Sequence, residues 1–285
     1  MKLLNLDSSK SYSIPDLYLN IGHLLDHFMM LIFAKAAFDA GRKFGLSYEE
    51  IIIYGTFGVV LFGAAAPLAG WLADKFSRAI LITIYPFGLA LGAVLTAFSN
   101  SVEMLGISLG ILGFFAAIYH PVGIAMITKR SGKVGLRLGI NGVWGNMGVA
   151  LAPVMTGFFI AYADWKHAFI IPGIFCFLFG IMQAFAFVEE DDLILNIKNN
   201  YNPKNVITDG WQTVLICLSI VTLSGGFIFG SMTFLIPRLF ELNLTDISTD
   251  IAITGVLAGL VYAFASFAQI GTGWLADKIP PKYVL

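Results

Sequence analysis

Charged side chains are scarce in this sequence. Asp, Glu, Lys and Arg make up 12% of the 285 residues, whereas hydrophobic residues make up 58%. A soluble domain carries roughly 25% charged residues. The charges also fall in short clusters, separated by nearly uncharged runs of roughly 20 or more residues, the length that crosses a bilayer core of about 30 Å. The sequence therefore excludes an ordinary soluble protein and predicts a polytopic membrane protein surrounded by a lipid bilayer.

Cysteines and basic patches are also lacking. The two cysteines, Cys176 and Cys217, both fall inside apolar runs, which excludes a disulfide framework and a cysteine metal site. The net charge is −1 and no stretch is strongly basic, so we expect no nucleic-acid partner. No pattern calls for a cofactor. The first apolar run already carries His23 and Asp26, which a removable signal sequence would not, so we expect a retained span.

Eight apolar segments have the length of membrane-spanning helices. Because the bilayer core offers no water to backbone groups, helices fit runs of this length, whereas a β-barrel would show short alternating segments. We therefore predict an all-α polytopic membrane protein. The predicted helices lie at about 16–38, 50–73, 79–98, 104–128, 137–162, 167–188, 211–237 and 251–275.

Lysine and arginine are distributed unequally between the two sides that these helices define. Twelve of the 17 fall on the side that holds the N-terminus, and the other five fall on the opposite side. Since an excess of positive charge marks the cytoplasmic side, we expect a cytoplasmic N-terminus. Residues 189–210 form the longest polar stretch between helices and begin with four consecutive acids. We interpret this stretch as a solvated cytoplasmic linker.

The hexapeptide GWLADK occurs twice, at residues 70–75 and at residues 273–278, each time closing the second helix of its half. This recurrence on the two sides of the linker indicates an internal repeat of six helices in parallel topology. We expect a six-helix N-terminal bundle over 1–188, a linker over 189–210 and a partial C-terminal bundle of two helices over 211–285. On this interpretation the chain stops where a ninth helix would begin.

Each residue type in the hexapeptide has a physical use. Glycine lets neighbouring helices approach closely at the membrane edge. A carboxylate in a tight turn can accept N–H bonds from the start of a helix, where the helix dipole is positive. The basic residues can face lipid headgroups or a carboxylate; anchoring by positive charge alone is the simpler alternative, but it leaves the Gly, the Asp and the recurrence unexplained. The residues concerned are Gly70, Asp74, Lys75, Arg78, Gly273, Asp277 and Lys278.

The stretch from Gly70 to Arg78 resembles the signature of the major facilitator superfamily, roughly G-x-L-A-D-[RK]-x-G-[RK]-[RK]. Ser77 replaces the family's Gly, Ala79 replaces its second basic residue, and Pro280 departs from the pattern in the second copy. The resemblance implies a transporter whose two helix bundles rock around a central site for a small-molecule substrate. It also implies a protein that is monomeric when complete and lies in the cytoplasmic membrane of a bacterium.

The same resemblance implies a role for the hexapeptide residues. In that family the Asp and the basic residues of the signature latch the cytoplasmic side in the outward-facing state. Arg130, at the cytoplasmic end of the fourth predicted helix, is a candidate partner for Asp74.

Two narrower resemblances bear on the direction of transport. Gly148, Pro153 and Gly157 on the fifth predicted helix fit the spacing of the family's antiporter pattern, although ordinary helix packing explains them equally well. The segments GHLLD, ending at Asp26, and YHPVG, containing His120, resemble the branch that includes fosmidomycin-resistance efflux proteins. The order Asp26-His27 departs from that branch, where an Asn-Asp pair follows the first-helix Gly-His.

The first predicted helix collects most of the ionisable groups inside spans. Asp26 stands about ten residues into it, roughly 15 Å deep, which is too deep to reach the surface. Asn20, His23, His27 and Lys35 share a sector of roughly 120°, and Asp26 lies about 60° to one side. We interpret Asp26, His23 and His27 as groups that exchange a proton, with hydrogen bonding between helices as the alternative. Lys35 lies near the outer end, where we expect it to reach the interface.

Three further residues are candidates for the central site. His120 precedes Pro121, whose missing N–H frees the carbonyl of Ala117 and breaks the fourth helix beside a titratable ring. Asn141 and Trp144 share one face of the fifth helix, where one can hydrogen-bond and the other can stack against a substrate.

These features predict a secondary active transporter, specifically proton-coupled efflux of a small organic compound by alternating access. The first alternative is proton- or gradient-driven uptake of an organic anion or other metabolite. The second, of another class, is a membrane metal-binding protein or enzyme that uses His23 and His27, whose i, i+4 spacing puts both rings on one helix face. No H-E-x-x-H motif and no serine nucleophile elbow occur. We therefore expect neither a metal site nor an enzyme.

Overall fold

The computed structural model describes residues 14–129, 133–187, 210–244, 251–280 and 283, which form helices and short connections without any strand. Arg130 and residues 189–209 of the predicted linker lie outside these ranges. The helices are α1 (Ile14–Phe44), α2 (Tyr48–Ile51), a 3₁₀ turn (Ile52–Gly55), α3 (Thr56–Lys75), α4 (Arg78–Ala97), α5 (Val102–Ala116), α6 (Tyr119–Thr128), α7 (Val134–Tyr162), α8 (His167–Phe187), α9 (Trp211–Asn243), α10 (Ile251–Ser266) and α11 (Ala268–Ala276).

The prediction of an all-α protein with eight spans is confirmed within the described residues. Eight helical segments there are long and apolar enough to cross a membrane. The second span runs through α2, the 3₁₀ turn and α3, the fourth through α5 and α6, and the eighth through α10 and α11. In each of these spans the regular α-helix is interrupted by a 3₁₀ turn or by one or two residues.

The first helix extends six residues beyond its predicted end. Its last turn is held by side chains: Trp165 N–H donates to Asp39, and Lys43 donates to the Ser99 carbonyl at 2.9 Å. Gly45, the residue after the helix, has a φ of +69°, the left-handed conformation that suits a residue without Cβ. Polar residues at the end of a span are therefore helical when neighbouring loops supply partners.

The predicted break in the fourth span is present. α5 ends at Ala116 and α6 begins at Tyr119, two residues before Pro121. Proline lacks the N–H that would bond to the carbonyl of Ala117, and its ring crowds that turn. The break places His120 in the first turn of α6.

The first helix lies at the centre of the packing. It contacts α7 most extensively, and one continuous apolar core joins α1 to α8. The close approach to α7 depends on Gly148, because a Cβ there would overlap the Leu24 carbonyl and lie 3.0 Å from the Phe28 nitrogen. Small residues at such contacts favour helix association in a membrane. A smaller cluster of Val149, Ala150 and Tyr262 joins α7 to α10.

Candidate functional site

Three histidines from two helices meet inside the membrane-spanning region. His23 and His27 lie one turn apart on α1, and their Nε2 atoms are 3.1 Å apart. His120 reaches them from α6, with ring centroids 5.1 Å from His23 and 5.2 Å from His27. Spacing along α1 predicted the first pair, whereas the arrival of His120 is a tertiary contact that the helix break makes possible. We call these residues the histidine cluster.

The tautomer of His23 follows from its contacts. Its Nδ1 lies 2.8 Å from the Asn141 carbonyl oxygen, which can only accept, so Nδ1 carries the hydrogen. In the neutral ring Nε2 then has a lone pair directed at His27, whose Nε2–H donates to it. The ring also stacks on Tyr119 with centroids 4.9 Å apart. His23 is therefore fixed in position and in hydrogen-bonding role.

Asp26 is completely buried beside the cluster. Neither of its carboxylate oxygens has a hydrogen-bond partner among the described residues. Nε2 of His120 lies 3.6 Å from Oδ2. The grouping of Asp26 with His23 and His27 for proton exchange stays a prediction, and the His23 ring is directed toward α7. Gly145 makes room for it there: a Cβ at that position would lie 2.6 Å from the ring.

Asn141 ties α7 to α1 and α6. Its side-chain Nδ2 donates to Asn20 Oδ1 and to the Tyr119 hydroxyl, both at 2.9 Å, while its carbonyl accepts from His23. Tyr119 in turn donates to the Leu19 carbonyl at 2.6 Å. Trp144 is half-buried one turn further along α7, and no hydrogen bond or ring contact among the described residues joins it to the cluster. Asn141 thus belongs to the site's framework, and Tyr119 is a member that sequence reasoning missed.

The histidine cluster has the spacing of a metal site. One ring nitrogen from each of the three histidines lies within 4.8 Å of the others. Two ligands of a tetrahedral zinc at about 2.0–2.1 Å stand roughly 3.4 Å apart, close to the separation of the His23 and His27 nitrogens. The bond from His23 to a backbone carbonyl is also the outer contact that metal-binding histidines make. These three residues could therefore hold a transition-metal ion.

The second hexapeptide binds the start of α7. Asp277 accepts the backbone N–H groups of Gly135 at 2.7 Å and Leu136 at 2.8 Å. A carboxylate at these positions caps the helix and meets the positive end of its dipole. Gly273 makes the contact possible, since a Cβ there would overlap the Gly135 carbonyl and lie 2.9 Å from Gly139 Cα. The expected chemistry is present, but the helix that Asp277 caps is α7 and not the helix that follows in sequence.

The first hexapeptide differs in its contacts. Arg78 donates to Asp74 at 2.8 Å, and Ser77, where the resembling family has Gly, caps α4 by accepting the Ile80 N–H at 3.1 Å. The prediction that Gly70 allows a close helix contact is wrong in this structure. A Cβ at Gly70 would make only an ordinary 3.5 Å contact with Pro121. The two hexapeptides thus differ in what they touch: the glycine of the second copy contacts α7, and that of the first contacts Pro121 of α6.

The lysines of both hexapeptides lie over the tryptophan of their own copy. The Lys75 ammonium is 4.8 Å from the Trp71 ring centre, and the Lys278 ammonium is 3.8 Å from that of Trp274. A cation over an indole face is stabilised by the ring quadrupole. The expected contact of these lysines with lipid headgroups or a carboxylate stays a prediction.

The antiporter-like residues lie along the α7 contacts. Gly148 touches α1, as described above, and Pro153 is buried inside α7 with its carbonyl directed at Gly255 of α10. Gly157 is also buried. Close packing against α1 explains why position 148 is a glycine. Helix α7 contacts α1 and also α10 and α11.

Lys35 is not at the interface. The prediction that its ammonium reaches the membrane surface is wrong, because the residue is completely buried. One of its partners is Thr254 of α10, whose Oγ1 accepts at 3.0 Å. Helical periodicity placed Lys35 on the same face as His27, but the burial of that face by α10 depends on a packing that a single sequence does not reveal.

Comparisons with known proteins give a consistent result. The model of the Major Facilitator Superfamily matches residues 19–285. The cis,cis-muconate transport protein of Acinetobacter baylyi is 28% identical over 52% of this chain and 36% of its own length. Multidrug resistance protein MdtG of a Rahnella species is 27% identical over 79% of this chain and 55% of its own length. The chain thus spans about a third to a half of these relatives.

A solved structure has the same fold. It is a bacterial homolog of the human lysosomal transporter Spinster in an inward-facing, unoccupied conformation. It matches with a TM-score of 0.67 and 17% sequence identity, over 94% of this chain and 63% of the other. At that identity the likeness concerns the fold alone.

Proposed function

The chain belongs to the major facilitator superfamily, and from that premise we propose that it is a proton-coupled secondary transporter that exports a small organic compound by alternating access. Asp26 and His120 exchange the coupling proton, with His23 and His27 completing the relay. Asn141 fixes the relay on α7, and Trp144 faces the substrate. The N-terminus and both hexapeptides lie on the cytoplasmic side of a bacterial inner membrane.

The observation that carries this proposal is the buried Asp26 carboxyl beside a partly exposed imidazole. Asp26 is 0% exposed and the His120 side chain, 3.6 Å away, is 33% exposed, so the imidazole is the more accessible member of the pair. A charged carboxylate at this depth costs several kcal/mol unless it is paired, hydrated or protonated. Binding a proton removes that cost, and so the preferred conformation of the helices around Asp26 depends on whether the proton is present.

The two-bundle arrangement is part of the same proposal. In this proposal residues 1–188 belong to one bundle, 189–210 to the linker and 211–285 to the second bundle. The bond from Asp277 to the start of α7 latches the two on the cytoplasmic side when the site faces outward. Each transport cycle breaks this latch and forms it again.

The antiporter-like residues of α7 and the similarity to a multidrug resistance protein support export. The similarity to a muconate transport protein supports the main alternative, which is proton- or gradient-driven uptake of an organic anion or other metabolite. The Asp26–His120 pair is compatible with both export and uptake. The direction of proton movement therefore distinguishes antiport from symport.

That sign can be measured in liposomes. The full chain is reconstituted with the pH dye pyranine inside, the liposomes are loaded with ethidium or with cis,cis-muconate, and they are diluted into buffer without the compound. Antiport draws protons inward as the compound leaves, so we expect the interior to acidify. Alkalinisation would indicate symport and favour uptake, while no pH change with either compound would contradict proton coupling.

The spacing of the histidine cluster favours one alternative of another class, a membrane metal-binding protein. Calorimetric titration of the purified protein with Zn²⁺ and Ni²⁺ separates it from the transporter proposal. Binding of one ion per chain that is lost in His27→Gln would support the metal site. If no metal ion binds and the liposome interior acidifies, the histidine cluster would be assigned to proton coupling.

The latch provides a further prediction. Asp277→Ala removes the acceptor of two N–H groups at the start of α7, and we expect it to lower the free energy of unfolding by about 1 kcal/mol. Asp277→Asn keeps one side-chain oxygen and should lose less. Thermal unfolding in detergent measures both, and an alanine variant as stable as wild type would show that the contact contributes nothing.

A further inference from the structure

Phenylalanine rings from two other helices reach the histidine cluster. The ring centroid of Phe62, on α3, lies 5.7 Å from that of His120, at an interplanar angle of 76°. The ring centroid of Phe229, on α9, lies 6.1 Å from that of His27, at an angle of 70°. Both separations fall within the range of about 4.5–7 Å over which aromatic rings attract each other, and both angles are close to edge-to-face. The cluster is therefore bordered by one phenylalanine from each half of the chain.

The cluster has a buried side and a more open side. His23 is buried and bonds to the backbone of α7. His27, His120 and Phe62 are only half-buried, and Phe229 is exposed. A molecule that reaches the cluster from its open side therefore meets aromatic rings first.

Helix α9 leaves room beside Phe229. Gly225 and Gly226 precede Phe229 by four and three residues, so they lie on the same face of the helix. A Cβ added at either glycine would have nothing within 4 Å. The face of α9 that carries Phe229 thus has open space next to the ring.

The contacts of His27 leave one hydrogen-bond acceptor at this surface. Its Nε2–H donates to His23, so in the neutral ring Nδ1 carries a lone pair. This Nδ1 atom has no hydrogen-bond partner among the described residues, and it is not fully buried. An O–H or N–H group of a ligand can therefore donate to His27.

We propose that the space bordered by Phe62, Phe229 and His27 binds the transported compound, and that this compound is a planar aromatic molecule with a hydroxyl or amino group. This rests on the proposed transport function and adds a substrate class to it. A flat ring makes stacked or edge contacts with both phenylalanines, while its donor group meets the lone pair of His27. Because the two phenylalanines belong to different halves of the chain, both halves hold the compound at once.

Three probes of similar size test this by equilibrium binding, without any transport. 2-Naphthol is planar and has a donor, 2-methoxynaphthalene is planar without a donor, and decahydro-2-naphthol has a donor but is not planar. The purified protein is heated with increasing amounts of each probe, and the rise in unfolding temperature gives the apparent affinity. We expect 2-naphthol to bind most tightly, since the loss of the hydrogen bond or of the aromatic contacts weakens binding by roughly two- to tenfold. Equal effects of the three probes would overturn the proposal.

Variants assign the binding to these residues. Phe229→Leu keeps an apolar side chain but removes the ring, and it should weaken 2-naphthol binding by roughly two- to tenfold. The matched control is Phe227→Leu, the same change two residues earlier on α9, where the side chain is 77% exposed. We expect this control to bind 2-naphthol as the wild type does. In His27→Phe the preference for 2-naphthol over 2-methoxynaphthalene should disappear. Wild-type affinity in Phe229→Leu, or an unchanged preference in His27→Phe, would contradict the proposal.

The binding test and the liposome test fail separately. A protein that moves protons with ethidium or muconate, but does not distinguish the three probes, retains the transport proposal and loses the aromatic site. A protein that binds 2-naphthol through Phe229, but moves no protons, retains the aromatic site and loses the coupling.

Discussion

Replacing Asp26 with asparagine should reduce proton-coupled flux to the level of liposomes without protein, while the amount of inserted, folded protein stays that of wild type. Asparagine keeps the shape of the side chain but cannot take up or release a proton. Because neither Asp26 oxygen has a hydrogen-bond partner among the described residues, the substitution removes no hydrogen bond there, and it leaves the side chain beside His120. Flux and expression are measured side by side, with pyranine inside the liposomes.

The matched control is Asp39→Asn, the same substitution on the same helix. Asp39 accepts the Trp165 N–H at 3.1 Å and lies 3.9 Å from Arg42 near the end of α1, remote from the histidine cluster. We expect this variant to retain coupled flux. Wild-type flux in Asp26→Asn would give Asp26 a purely structural role and transfer the coupling to His120 or His23.

The largest expected loss of stability comes from Gly148→Val. The valine Cβ would overlap the Leu24 carbonyl and press on the backbone nitrogen of Phe28, so α1 and α7 must move apart. Overpacking costs about 1–3 kcal/mol when side chains can yield, and a collision with backbone leaves less room to yield. We expect little monodisperse protein on size exclusion and a markedly lower unfolding temperature for what remains.

Gly63→Val is the control for this substitution. It adds the same side chain to α3 at a position where a Cβ has nothing within 4 Å. Its yield and unfolding temperature should match those of wild type. If Gly148→Val were as stable as Gly63→Val, the close contact between α1 and α7 would not contribute to stability.

Much of the fold could be predicted from the sequence because membrane helices satisfy their own backbone groups. The length of each apolar run and the loops between them set the eight spans, and the recurring hexapeptide indicated the family. The break before His120 followed from Pro121 alone. These are local properties of the chain, and each was visible without knowledge of which helices touch.

The partners of the polar groups could not be predicted in the same way. Periodicity placed Asp26, His23 and His27 on one helix, but it could not show that His120 of another helix lies 3.6 Å from Asp26. Lys35 was expected at the membrane surface because the sequence shows its position near the end of α1. The sequence does not show that α10 packs over it. The same holds for Asp277, since the sequence shows that it can cap a helix but not that α7 is the helix it caps.

The position of the partners along the chain has a consequence for how the protein is made. Polar groups of α1 are synthesised long before their partners. The Asn141 carbonyl follows His23 by 118 residues, and Thr254 follows Lys35 by 219. At roughly 5–20 residues per second, the second interval lasts about 10 to 45 s. Throughout that time Lys35 lacks the contact with α10, and placing its charge in the hydrocarbon core costs free energy. The first helix must therefore remain close to the insertion machinery, or to water, until the eighth span arrives, and this makes the earliest span of the chain one of the last to be sealed from its surroundings.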